Sequence, residues 1–80
     1  MLVPLYGFLQ GDTLGLLVLV QDDDKVADIA SCLQQAAATR VAPRAGGRVY
    51  FEGRALDPKL TVAQAGLAAL DRVDVVPEQG

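Results

Sequence analysis

Residues 48–76 read RVYFEGRALDPKLTVAQAGLAALDRVDVV, and the fold is decided here. Arg48-Val49-Tyr50-Phe51 is a short run of β-formers. Glu52-Gly53 breaks it, because glycine accepts the positive φ of a tight turn. Arg54-Ala55-Leu56 then returns as a brief edge. Asp57-Pro58-Lys59 is a second turn, in which proline holds φ near −65° and offers no N–H. The spacing of residues 60–67 predicts one short helical turn, opened by Thr61 as N-cap and stopped by Gly66. Arg72-Val73-Asp74-Val75-Val76 alternates as a last strand. Nothing in this stretch has the makings of a reaction centre, so it informs on fold first and on function through the fold.

Working outward, the 80 residues are expected to form one domain, 1–80, near the small end of the range. A chain of this size buries roughly 60–65% of its unfolded surface. The composition is 51% hydrophobic, which is too apolar for a disordered chain. A single cysteine gives no disulfide framework and fits a reducing, cytoplasmic setting. The N-terminal apolar residues are interrupted by Pro4, Gly7 and Gly11 and lack a basic leader, which argues against a signal peptide. No apolar run is long enough to span a membrane. A net charge of −3 argues against nucleic acid as a partner. The charge is uneven. Asp12, Asp22, Asp23, Asp24 and Asp28 against Lys25 give residues 1–39 a net −4, whereas Arg40, Arg44, Arg48 and Arg54 against Glu52 give the middle segment +3.

The first twenty residues predict a hairpin, residues 2–10 and 13–20 flanking Gly11-Asp12 in a two-residue or four-residue loop. That pairing sets Val3, Leu5, Gly7 and Leu9 opposite Val20, Val18, Leu16 and Leu14. The other face carries Leu2, Pro4, Tyr6 and Phe8 against Gly15, Leu17 and Leu19. Neither face is polar, although a hairpin with one wet face should alternate apolar and polar. One helix covers only one face, so the second is an exposed apolar patch or a subunit interface.

Asp22-Asp23-Asp24 leads into a helix expected over residues 25–39, with Asp24 as N-cap and the acids favoured by the helix dipole. Capping accounts for these carboxylates better than a cation site, since their spacing matches no calcium loop. Val26, Ile29, Ala30, Leu33 and Ala37 form the apolar stripe, with Asp28, Ser31, Gln34 and Gln35 opposite. Cys32 sits at the stripe's margin and reads as a packing residue. Residues 40–47, RVAPRAGG, are a connector; Gly46-Gly47 has neither the preceding strand nor the GK[ST] of a phosphate loop.

Catalysis has little to draw on. The chain contains no histidine, one cysteine and one serine, Ser31. Neither a catalytic triad nor a transition-metal site is expected from that set. The carboxylates of Asp71 and Asp74 are not expected in a cleft. Neither an enzyme nor a cofactor protein is expected.

The order strand, strand, long helix, strand, edge, short turn, strand resembles the ubiquitin-like β-grasp. This is an α+β fold with a mixed four- to five-stranded sheet packed on one long helix. Residues 48–56 look like the third strand and turn of ubiquitin, Leu60-Thr61-Val62 like its short turn, and Val73-Asp74-Val75 like its last strand. The resemblance implies a core of Val3, Leu5, Val18, Val20, Val26, Ile29, Leu33, Val49, Phe51, Leu56, Leu67, Val73 and Val75. Conjugation is not implied, because the sequence closes on Pro77-Glu78-Gln79-Gly80 rather than on paired glycines. A narrower similarity is to the toluene-4-monooxygenase system protein B family, the gamma subunits of bacterial multicomponent diiron hydroxylases. It is carried by Arg40-Val41-Ala42-Pro43-Arg44, by residues 61–67 (TVAQAGL), by Val73-Asp74-Val75-Val76 and by the Asp22-Asp23-Asp24 helix start; residues 48–54, with Phe51-Glu52-Gly53, stay closer to ubiquitin. This similarity implies a non-catalytic subunit whose partner is a large diiron chain. The alternative is a free-standing interaction module that self-associates or binds a regulator. Either way the expected interface is Tyr6, Phe8, Leu17, Leu19, Tyr50 and Val76, rimmed by Arg40, Arg44, Arg48 and Arg54.

Overall fold

The computed structural model describes residues 1–12, 14–39 and 47–77. Five strands and one helix follow in the order β1 (Leu2–Leu9), β2 (Gly15–Gln21), α1 (Val26–Ala36), β3 (Arg48–Phe51), β4 (Arg54–Ala55) and β5 (Arg72–Val76). The sheet order is β2-β1-β5-β3-β4. The β1–β5 pair is parallel and the others are antiparallel. This is a mixed five-stranded sheet with one helix packed across it, an α+β β-grasp.

The hairpin register is the expected one: Val3 faces Val20, Leu5 faces Val18 and Gly7 faces Leu16. The connection is wider than two residues. Asp12 N–H bonds to Leu9 C=O at 3.0 Å, and the Asp12 carboxylate accepts from Leu14 N–H at 3.3 Å. Gly11 carries the positive φ this turn demands (95°). The strand therefore starts at Gly15 rather than at residue 13, which lies outside the described residues.

The helix is shorter than expected at both ends. Lys25, not Asp24, is the N-cap residue. The Asp24 carboxylate is taken by Gln21 N–H at 2.8 Å, so it closes the turn before the helix. The dipole-facing acid is Asp28, whose carboxylate accepts from Lys25 N–H at 3.0 Å. At the far end Ala37 turns out of helical geometry (φ −91°, ψ 2°), and Ala38 N–H reaches back only three residues, to Gln35 C=O at 3.3 Å. Gln34 was expected on the wet face but is buried. It lies on the flank that meets the entry to β3, with Nε2 3.3 Å from where a side chain on Gly47 would stand.

The core holds Val3, Leu5, Val18, Val20, Val26, Ile29, Leu33, Val49, Leu67, Val73 and Val75 as expected. Phe51 and Leu56 are only partly buried, because they stand at the narrow β3–β4 edge. Leu9, Ala30, Ala37 and Val62 complete the core. Gly7 leaves room for the helix: a Cβ there would lie 2.9 Å from both Leu33 methyl carbons. Gly7→Val therefore has to push α1 off β1, and it should cost about 1–3 kcal/mol in chemical denaturation.

The short turn over residues 61–66 is held by reciprocal bonds. Thr61 Oγ1 accepts from Gln64 N–H at 3.1 Å, and Gln64 Oε1 accepts from Thr61 N–H at 3.0 Å. Gly66 leaves it at φ 80°. Thr61→Ala removes this cap and should lower stability by about 1 kcal/mol in the same assay. The turn is also stitched to the start of the helix, Val26 N–H to Leu60 C=O and Val62 N–H to Asp24 C=O, each at 2.8 Å.

Candidate docking surface

Strand alternation sends Val3, Leu5, Val18, Val20, Val49, Val73 and Val75 to the helix. The opposite face is thereby built from the intervening residues of four strands. The Cα pairings arrange them in rows across the sheet. Leu19 stands beside Pro4. Leu17, Tyr6 and Arg72 form the next row, and Gly15, Phe8, Asp74 and Tyr50 the one after. Val76 stands beside Arg48.

The face is polarised. Its β2–β1 half is oily: Leu2, Tyr6, Leu17 and Leu19 are each about half exposed, between 46% and 55%. Its β5–β3 half is ionic. Arg72 Nη2 bonds to Asp74 Oδ1 at 3.2 Å. Phe8 marks the boundary. Its ring lies over Gly15, where a Cβ would stand 2.6 Å from it, and the Arg72 guanidinium sits 4.1 Å from the ring centroid. A cation over an aromatic face is attracted by the ring quadrupole, so Phe8 is partly covered within the chain.

Among the residues expected at an interface, Tyr6, Leu17 and Leu19 are the ones brought together with open side chains. Phe8, Tyr50 and Val76 share the face but are partly buried. Arg48 lies on this face at its β3 margin. Arg54 does not: it pairs with Phe51, which puts it on the helix side of the sheet edge. Arg40 and Arg44 lie outside the described residues. Arg72 and Asp74 were not anticipated. Their alternation within residues 72–76 was visible, but only the parallel β1–β5 register sets them beside Tyr6 and Phe8.

The remaining polar groups serve the fold. The Asp22 carboxylate accepts from the Met1 ammonium at 2.9 Å. That bond raises the ammonium above its ordinary value and lowers Asp22 below the usual carboxylate range. The raised group contributes stability below the ordinary α-amino range and loses it as pH rises further. The lowered group contributes above the ordinary aspartate range and loses it as pH falls. The pair is thus strongest between those limits, and acetylating the N-terminus should return the Asp22 titration, followed by NMR, toward its ordinary value. Asp71 accepts from Ala68 N–H at 2.8 Å, whereas Asp74 accepts from the Arg72 guanidinium. Cys32 packs half-buried against the core. A cavity of about 230 Å³ between the start of α1 and β3 is lined by Val26, Ala27, Ser31, Gly47, Arg48, Val49, Leu56 and Pro58. Among these residues only Ser31 and Arg48 carry polar side chains, and strand alternation sends the Arg48 side chain to the outer face of the sheet. Among the described residues no cluster of three or more His, Cys, Asp or Glu is placed to hold a metal, and no helix is long and apolar enough to cross a membrane.

The fold and this face define a ubiquitin-like β-grasp domain that presents a surface rather than a reaction centre. Solved structures agree on the fold: Caldiarchaeum subterraneum ubiquitin is 18% identical with a TM-score of 0.75, covering 100% of this chain and 98% of that one. The ubiquitin-like domain of Plasmodium falciparum Dsk2 is 23% identical with a TM-score of 0.70, covering 98% and 100%. Higher similarity is found to a chain of the toluene 4-monooxygenase HD complex with the inhibitor 4-bromobenzoate, at 29% identity and a TM-score of 0.88, covering 98% of this chain and 100% of that one. No curated protein sequence matches. The family model for toluene-4-monooxygenase system protein B matches residues 2–76, and the chain belongs to that family. It is a small, non-catalytic component of a multicomponent monooxygenase.

Proposed function

We propose that the chain, as one ubiquitin-like domain, is the gamma-type subunit of a cytoplasmic diiron monooxygenase acting on aromatic or other hydrocarbon substrates. It docks on the large hydroxylase subunit through the outer face of β1 and β2. The observation that carries this is the contiguous, half-exposed patch of Leu2, Tyr6, Leu17 and Leu19 in a chain of this family. Isolated surface leucines are ordinary, but a contiguous oily sheet face on so small a chain is the signature of a surface covered in an assembly. Arg72, Asp74 and Arg48 supply a charged margin that sets orientation. The structural likeness to a chain of the toluene 4-monooxygenase HD complex supports a hydroxylase as partner. The test is affinity purification of the chain from its native cells under mild salt. A larger iron-containing chain in stoichiometric amount is expected, and purification of the small chain alone would overturn the proposal.

A further inference from the structure

The ladder between β1 and β2 leaves a second feature open. Asp22 N–H bonds to Met1 C=O at 2.9 Å, so bonds across this antiparallel pair recur at Val3/Val20, Leu5/Val18 and Gly7/Leu16. The intervening residues of β1 turn their backbones the other way: Pro4 C=O accepts from Leu70 N–H at 2.6 Å, and Tyr6 N–H bonds to Asp71 C=O at 3.0 Å. Their β2 partners Gly15, Leu17 and Leu19 therefore point N–H and C=O away from β1, and β2 is the end of the sheet. Natural sheets blunt such an edge with charge, proline, a bulge or a cover. β2 reads GLLVLVQ, with neither charge nor proline. Only its last residue is closed, Gln21 N–H being held by the Asp24 carboxylate at 2.8 Å. The backbones left open belong to residues whose side chains lie on the exposed outer face.

We infer that β2 accepts an added strand from the large subunit, pairing with Gly15, Leu17 and Leu19 and adding a sixth strand outside β2. This rests on the docking proposed above and specifies how it is made. Charge selects the occupant. Asp12 stands at one end of the open edge and Asp22, Asp23 and Asp24 at the other. A second copy paired antiparallel about Leu17 brings Asp12 of one chain against the Asp22-Asp23-Asp24 end of its mate, where the Met1 ammonium offsets only the Asp22 charge. The complementary partner is an extended segment with apolar residues at alternate positions, flanked by lysine or arginine. Backbone bonds supply the affinity in this mode and alternate side chains the specificity.

Hydrogen exchange of the labelled chain, alone and bound to the co-produced large subunit, tests this residue by residue. In the isolated chain, Leu17 and Leu19 amides should exchange freely while Val18 and Val20 are protected; in the complex, Leu17 and Leu19 should slow by about 100-fold or more. Unchanged Leu17 and Leu19 amides in a complex that Tyr6→Ala still weakens would overturn strand addition and leave docking through the face intact. Slowed amides in a complex indifferent to Tyr6→Ala would support the edge and overturn the face. Protection that grows with concentration in the isolated chain would assign the edge to a second copy and overturn the partner named here.

Discussion

Leu33→Ala is expected to destabilise the chain by about 2–5 kcal/mol in urea denaturation. Leu33 is fully buried, and both its methyl carbons lie 2.9 Å from where a Cβ on Gly7 would stand, so the side chain fills the space that glycine leaves on β1. Truncation removes the transfer free energy of those carbons and opens a void between α1 and β1. The strand cannot fill it, because Gly7 has no side chain to extend. A domain of this size has on the order of 4–12 kcal/mol to lose, so this one change removes a large share of it. The midpoint temperature should fall by more than about 10 °C. Leu17→Ala, on the open face, should stay within about 0.5 kcal/mol of the parent. A loss below about 1 kcal/mol for Leu33→Ala would mean that helix and sheet do not meet as closely as described.

The second large effect is expected in assembly rather than in folding. Leu17→Asp should leave the free chain folded, since the side chain is 54% exposed and the carboxylate can remain in water. In the docked arrangement proposed above, the same carboxylate is enclosed with Tyr6 and Leu19 on the apolar half of the face. A charge desolvated without a partner costs several kcal/mol, so affinity for the large subunit should fall at least ~100-fold, read by co-purification yield or by calorimetry. Tyr6→Ala removes area without adding charge and should cost about 2 kcal/mol, roughly thirtyfold. The far-UV spectra of both variants should match that of the parent. Undiminished hydroxylase assembly with both substitutions would sink docking through this face.

Much of the fold was legible in order and spacing. Glu52-Gly53 and Gly66 announced turns because their positive φ is a local demand that few residues meet. The Val3/Val20 and Leu5/Val18 register followed from the hairpin, where chain connectivity leaves few alternatives. The helix stripe at Val26, Ile29 and Leu33 followed from its 3.6-residue period. Errors fell where local chemistry had two outlets. Asp24 is a good N-cap by type, yet Gln21 N–H lies nearer, and Asp28 faces the helix start instead. Gln34 is polar by type, yet the entry to β3 covers it. The expected core omits Val62, yet the short turn that holds it is stitched to the helix start and buries Val62 completely.

The sequence alone determined that the chain has no histidine and a single cysteine, and that both faces of its first hairpin are apolar. Both follow from residue identity and a two-residue period, which need no tertiary information. Only the tertiary structure decided which residues share the open face and how they are graded. The parallel β1–β5 pairing joins segments more than sixty residues apart in the chain. It places Arg72 on Phe8 and Asp74 beside it, turning one half of the face ionic while Leu17, Leu19 and Tyr6 stay bare. No local propensity encodes that pairing. In that position, between β1 and β3, β5 buries Val73 and Val75 completely under the helix.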